Sequence, residues 1–138
     1  MNNYSNPLIY VVDDDHDEHD LLKSIFASQH ANCDLKCFSD GTELLTQLTH
    51  RIDHRLPDLI LLDLQMPILS GYDILRLLKR DADWKHIPII VYSTSASPLN
   101  IYRCNQLGCS AFIIKTNDYL KKNERLLSSF INVNLHLI

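Results

Sequence analysis

Four short apolar runs each end in a polar group able to do chemistry. Leu8 to Val12 runs into Asp13, Asp14 and Asp15; Leu59 to Leu62 into Asp63; Ile89 to Tyr92 into Ser93 and Thr94; and Ala111 to Ile114 into Lys115. Alone, Asp63 would read as a surface carboxylate closing a loop. Four runs ending in acid, acid, hydroxyl and ammonium argue for a shared polar site instead, with Asp63 as its working atom. Carboxylates gathered there would repel by about 4 kcal/mol per pair at 4 Å and an effective dielectric near 20, and a divalent cation is the natural remedy.

The elements that must position these groups follow from periodicity. Continuous apolar runs of four or five residues are the pattern of strands buried on both faces. Leu21, Leu22, Ile25 and Phe26 recur at helical spacing and predict a first helix over Asp17 to Gln29, with acids in its first turn. His16 and His19 beside those acids suggest either a transition-metal pair or a hydrated helix start, and the hydrated start is the simpler reading.

Leu35 to Phe38 is a weaker strand placed at or near a sheet edge. Asp40 and Glu43 form a capping pair for a helix burying Leu44, Leu45 and Leu48. The histidine-bearing loop from His50 to Pro57 is given no chemistry. Pro67 and the Ser70-Gly71 pair force a turn after Asp63, and Ser70 then caps a helix whose inner face is Ile74, Leu75, Leu77 and Leu78, with Trp84 covering its end. Ile87 to Tyr92 is the fourth strand. Ser97-Pro98 opens a fourth helix and Gly108 closes it as a left-handed cap. Ala111 to Ile114 is the fifth strand, followed by a helix over 117–131 that buries Leu120, Leu127 and Phe130.

Five alternations of strand and helix predict an α/β fold: a five-stranded parallel sheet with helices on both faces, and ligands in the crevice at the carboxyl ends of the strands. With 138 residues, one domain is expected over 1–138, with 1–7 as a flexible leader. Val133, Leu135 and Leu137 alternate with polar residues, so the apolar tail at 132–138 should be covered, either by its own domain or by a second copy.

Bulk properties exclude several classes. The net charge is -4, with no basic cluster denser than Lys121-Lys122, which leaves no footprint for nucleic acid or an anionic membrane. No signal-like leader and no apolar run of membrane-spanning length occurs, so a cytoplasmic location is expected. Cys33, Cys37, Cys104 and Cys109 fall in no CxxC spacing. They read as reduced packing residues rather than zinc ligands.

Taken together, these residues resemble the receiver domain of two-component response regulators. The resemblance rests on the acid pair Asp13-Asp14, the Asp-x-x-Met-Pro-x-x-x-Gly signature from Asp63 to Gly71, the hydroxyl Ser93 and the lysine Lys115, in register along nearly the whole chain. It implies a flavodoxin-like sheet of order 2-1-3-4-5. It also implies transfer of a phosphoryl group from the phosphohistidine of a sensor histidine kinase or phosphotransfer protein to Asp63. Mg2+ would be held by Asp14, Asp63 and the backbone carbonyl of Gln65, with Asp13 acting through water. Ser93 and Lys115 would meet the phosphoryl oxygens, and Phe112 would relay the switch to a protein-docking face formed by the fourth helix, fifth strand and fifth helix.

No output domain is evident, so the resemblance implies a stand-alone receiver that signals by contact, as a homodimer or in a phosphorelay, and catalyses only its own phosphorylation and dephosphorylation. Two departures from the family pattern bear on the site. Thr116 follows Lys115 where proline is usual, and a cis bond there would cost about 3 to 4 kcal/mol. Thr94 stands where a smaller residue is usual, which predicts slow phosphorylation by small donors. Gln65 and Ser95 flank the path of attacking water.

Other classes of protein share parts of this pattern. Asp13 and Asp15 mimic the Asp-x-Asp of haloacid dehalogenase phosphatases, although the chain has no room for a cap. A flavin-binding module would need a hydroxyl-rich phosphate loop where three aspartates stand. A non-phosphorylatable pseudo-receiver would be expected to lack one of the acids or the lysine.

Overall fold

The computed structural model describes residues 6–29, 32–94 and 97–114. Lys115, Thr116, Ser95, Lys121-Lys122, the helix expected over 117–131 and the tail at 132–138 lie outside the described residues. Five parallel strands are present: β1 (Leu8–Val12), β2 (Asp34–Phe38), β3 (Leu59–Asp63), β4 (Ile89–Ser93) and β5 (Ala111–Ile114), in the order β2-β1-β3-β4-β5. Four helices alternate with them: α1 (His16–Gln29), α2 (Gly41–His50), α3 (Gly71–Arg80) and α4 (Pro98–Leu107). This is the doubly wound sheet expected from the alternation.

The continuous apolar runs are explained by burial on two sides. Tyr10, Val12, Ile60, Leu62, Ile89 and Val91 face a core with Leu44, Leu48, Ile74, Leu75, Leu78 and Cys104 from α2, α3 and α4. Ile9, Val11, Leu59, Leu61, Ile90, Tyr92 and Ile113 face Leu22 and Phe26 of α1. All of β1, β3 and β4 are buried, whereas four of five residues in β2 are not, as an edge strand requires.

Helix ends follow their local chemistry. Asp40 accepts from the Glu43 N–H at 2.9 Å, Ser70 and Asp73 form a reciprocal capping box, and Ser97 accepts from the Asn100 N–H with Pro98 in the first turn. Gly108 closes α4 at φ 99, in the left-handed region. Trp84 is half-buried against the α3 side of the core.

Several expectations shift in detail. Leu21 and Leu77 are 46% and 45% exposed rather than inward-facing. On each helix the buried pair is spaced i, i+4 (Leu22 with Phe26, Ile74 with Leu78); at about 100° per residue Leu21 lies about 100° from Leu22, and Leu77 lies about 60° from Ile74 and about 100° from Leu78, at the solvent edge of the stripe. The fourth strand starts at Ile89 rather than Ile87; Ile87 is buried, but its N–H bonds back to the Trp84 carbonyl. Asn6 and Pro7, expected in a flexible leader, are tied down: the Pro7 carbonyl accepts from the Asp34 N–H at 2.8 Å, and the Asn6 carbonyl accepts from Arg55.

Candidate phosphoacceptor and metal site

Parallel pairing brings the strand exits level. Val12 is in register with Leu62, Asp63 with Tyr92, and Ser93 with Ile114. Asp13 and Asp63 therefore leave adjacent strands side by side. One carboxylate oxygen from each of Asp13, Asp14 and Asp63 lies within 4.8 Å of the other two. Asp13 is wholly buried and Asp63 nearly so, while Asp14 is exposed at the rim.

Fixed donors hold the buried acids. The Asp13 carboxylate accepts from the Asp15 N–H at 2.9 Å through Oδ1 and from the Tyr92 hydroxyl at 2.7 Å through Oδ2. Its backbone N–H donates to the Phe38 carbonyl at 3.0 Å. Asp63 Oδ1 accepts from the Gln65 N–H at 3.3 Å. Ser93 is wholly buried at the end of β4. An oxygen-only set of three carboxylates, two of them buried, fits a hard divalent cation such as Mg2+, because burial of such charges without compensation is costly.

The loop after Asp63 is shaped by space. The Gly71 N–H donates to the Leu64 carbonyl at 2.9 Å, and a Cβ on Gly71 would stand 2.4 Å from the Asp63 carbonyl oxygen and 2.6 Å from Leu64 Cα. Only glycine lets the chain double back under the strand end. At the tip, Ile68 is 91% exposed with φ 69, a conformation that β-branched residues rarely adopt. Thr94 Oγ1 donates to Gln65 Oε1 at 2.9 Å and so links the β3 and β4 loops on either side of Asp63.

Of the site residues expected from sequence, the fold assembles Asp13, Asp14 and Asp63, with Gln65 and Ser93 beside them. Phe112 is half-buried against the core shared by α2, α3 and α4, next to Val91 in register. Asp15 does not join the acids; its carboxylate accepts from the Asp17 N–H at the start of α1, so the Asp-x-Asp arrangement of a phosphatase is not assembled. His19 is not hydrated as expected: it is 5% exposed, and its Nε2–H donates to the Asp13 carbonyl at 2.7 Å.

Two contacts escaped sequence reading. Tyr92 looked like the end of an apolar strand; the available signal was that a buried phenol needs a partner, and the nearest candidates were acids at neighbouring strand ends. The Thr94–Gln65 bridge joins two side chains read separately as neighbours of the site.

The profile of the response regulator receiver domain matches residues 9–126. This chain belongs to that family. The receiver domain is 43% identical over 106 residues to the polar-differentiation response regulator DivK of Brucella anthropi, covering 69% of this chain and 85% of that protein. It is 31% identical over 80 residues to the chemotaxis protein CheV2 of Helicobacter pylori, covering 58% of this chain and 26% of that protein, so it spans about a quarter of that relative. The crystal structure of the phosphorylated cyanobacterial phytochrome response regulator RcpA matches with a TM-score of 0.85 at 25% identity, covering 96% of each chain. Among the described residues of the receiver domain, no helix is long and apolar enough to cross a membrane.

Proposed function

We propose that this receiver domain accepts a phosphoryl group on Asp63 from the phosphohistidine of a sensor kinase or phosphotransfer protein. One observation carries the reading: a nearly buried carboxylate at the end of β3 shares a pocket with two further acids, and a wholly buried serine ends the adjacent strand.

In this reading a carboxylate oxygen of Asp63 attacks phosphorus, the P–N bond to the donor imidazole breaks, and its electron pair leaves with the ring nitrogen. The Gln65 N–H donates to Asp63 Oδ1 and helps to orient the carboxylate for attack. Ser93 would donate to one phosphoryl oxygen and Lys115 would pair with another, so that developing charge meets a hydroxyl and an ammonium. Asp14, Asp63 and the Gln65 carbonyl, with Asp13 acting through water, would hold Mg2+, which would supply charge neutralisation. Hydrolysis of the acyl phosphate resets the domain, so its catalysis is confined to its own phosphorylation and dephosphorylation.

Phosphorylation adds about 1.5 to 2 negative charges and three acceptor oxygens at Asp63, which draws Ser93 and its loop inward. Phe112 relays that movement to the surface around α4 and β5, where Leu99, Tyr102 and Ile114 are exposed and a downstream protein or a second copy docks. The domain acts in the cytoplasm, without direct nucleic-acid contact. The Thr94–Gln65 bridge beside Asp63 supports slow labelling by small donors.

The test is incubation of the full chain with Mg2+ and phosphoramidate, or with a phosphorylated histidine kinase, read as a hydroxylamine-sensitive acyl phosphate by intact-mass spectrometry. One phosphoryl group per chain is expected, absent in Asp63→Asn and without Mg2+. Labelling that persists in Asp63→Asn would overturn the assignment. Rapid labelling by acetyl phosphate would contradict the restricted access.

A further inference from the structure

The phenol of Tyr92 has a task that packing does not explain. Tyr92 is 4% exposed, and its ring lies in the apolar layer with Ile9, Val11, Leu22, Phe26, Leu61 and Ile113. Phenylalanine would fill that layer equally well. The hydroxyl instead donates to Asp13 Oδ2 at 2.7 Å. Since β3 lies between β1 and β4, and Tyr92 is the register partner of Asp63, the phenol reaches beneath Asp63 to an acid two strands away.

That contact completes a clamp. The Asp15 N–H holds Oδ1 and the Tyr92 O–H holds Oδ2, so two donors from different elements set the plane of a wholly buried carboxylate. The carboxylate held in this way is one of three, with those of Asp14 and Asp63, whose oxygens lie within 4.8 Å of one another. The clamp also ties the metal pocket to β4, because Ser93 is the next residue along.

We propose that Tyr92 is a positioning residue for the divalent cation: its hydroxyl orients Asp13 so that the three-acid pocket is formed before the ion arrives. This rests on the reading of that pocket as a Mg2+ site. It concerns a residue that touches neither the ion nor the phosphoryl group.

The test is calorimetric titration of the full chain with Mg2+ and no phosphodonor, for the unsubstituted protein, Tyr92→Phe, Asp13→Ala and the double variant. Removing a hydrogen-bond partner that orients a direct metal ligand typically weakens binding about 10- to 100-fold, and because Asp13 holds the ion through water the lower end applies, so the Kd of Tyr92→Phe should rise about tenfold. In the Asp13→Ala background the same substitution should change Kd by less than about threefold, because the acceptor through which the phenol acts on the pocket is gone. A merely structural role would weaken binding equally in both backgrounds. That result, an unchanged Kd, or tighter binding in Tyr92→Phe would each overturn the proposal.

If Tyr92→Phe does not fold, the unsubstituted protein still decides. A slowly exchanging Tyr92 hydroxyl proton that persists in the NMR spectrum at saturating Mg2+ supports the clamp. Its loss on loading means the phenol is expelled, and refutes it. Absence of any Mg2+ binding by the unsubstituted chain would instead refute the metal reading itself.

Discussion

Replacing Asp14 by Asn should make the receiver domain more stable without Mg2+ and less stable than the unsubstituted chain with it. The crossing follows from the geometry. Asp14 faces two other carboxylates within 4.8 Å, and at that separation each pair repels by about 3.5 kcal/mol at an effective dielectric of 20 but only about 0.9 kcal/mol at that of water. Because Asp14 is exposed, the lower figure governs, and relief of both pairs amounts to about 1 to 2 kcal/mol. With an unfolding entropy of about 2.1 cal/mol/K per residue, a chain of 138 residues gains roughly 3 to 7 °C in Tm.

Mg2+ reverses the order. A cation present at 100 times its Kd stabilises the unsubstituted chain by about 2.7 kcal/mol, a gain that the variant largely forfeits with the loss of a ligand oxygen. The assay is scanning calorimetry of both proteins in EDTA and in saturating MgCl2. An Asp14→Asn chain that melts below the unsubstituted one in EDTA would refute the repulsion argument. Equal Mg2+ gains in the two proteins would refute the role of Asp14 in holding the ion.

Two further outcomes follow from other parts of the fold. Gly71→Ala should cost about 1 to 3 kcal/mol or more, because its Cβ would meet the Asp63 carbonyl oxygen at 2.4 Å, which is backbone and can yield only by moving the acceptor loop; urea denaturation with an unchanged midpoint would contradict this. Asp53 receives hydrogen bonds from Tyr10, Lys36 and Gln47. Burial pushes its carboxyl up, yet those three donors outweigh burial and leave it below the ordinary carboxylate value. A carboxyl depressed in the folded state contributes stability above its unfolded pKa of about 3.9 and loses it as pH falls through the folded value. Asp53→Asn should therefore cost about 1 to 3 kcal/mol at pH 7, with the Lys36 share discounted because that side chain is 43% exposed, and the difference should shrink below about pH 4. A gap between the two proteins that stays constant from pH 7 to pH 3, measured by urea denaturation, would refute it.

Much of the site was legible because its placement depends on strand ends. Asp13, Asp63 and Ser93 each follow an uninterrupted apolar run, and in a parallel sheet such residues must emerge on one edge. The caps at Asp40, Ser70 and Ser97 and the glycine at 108 were legible for the same reason, since each is decided within four residues. His19 and Tyr92 were not. Each lies on a segment whose local pattern is satisfied without its polar atom, and each finds its partner at Asp13.

The amino-acid order alone determined the five strands, the first four helices, their parallel alternation and the residues Asp13, Asp63 and Ser93 at strand exits, because periodicity and turn chemistry act over a few neighbours. Only the tertiary structure decided that Asp13 is wholly buried while Asp14 stays at the rim, that Tyr92 reaches Asp13 across 79 positions of sequence, and that Thr94 joins Gln65 beside the acceptor. Those facts depend on strand register and side-chain direction, which long-range packing sets and no short window of sequence contains.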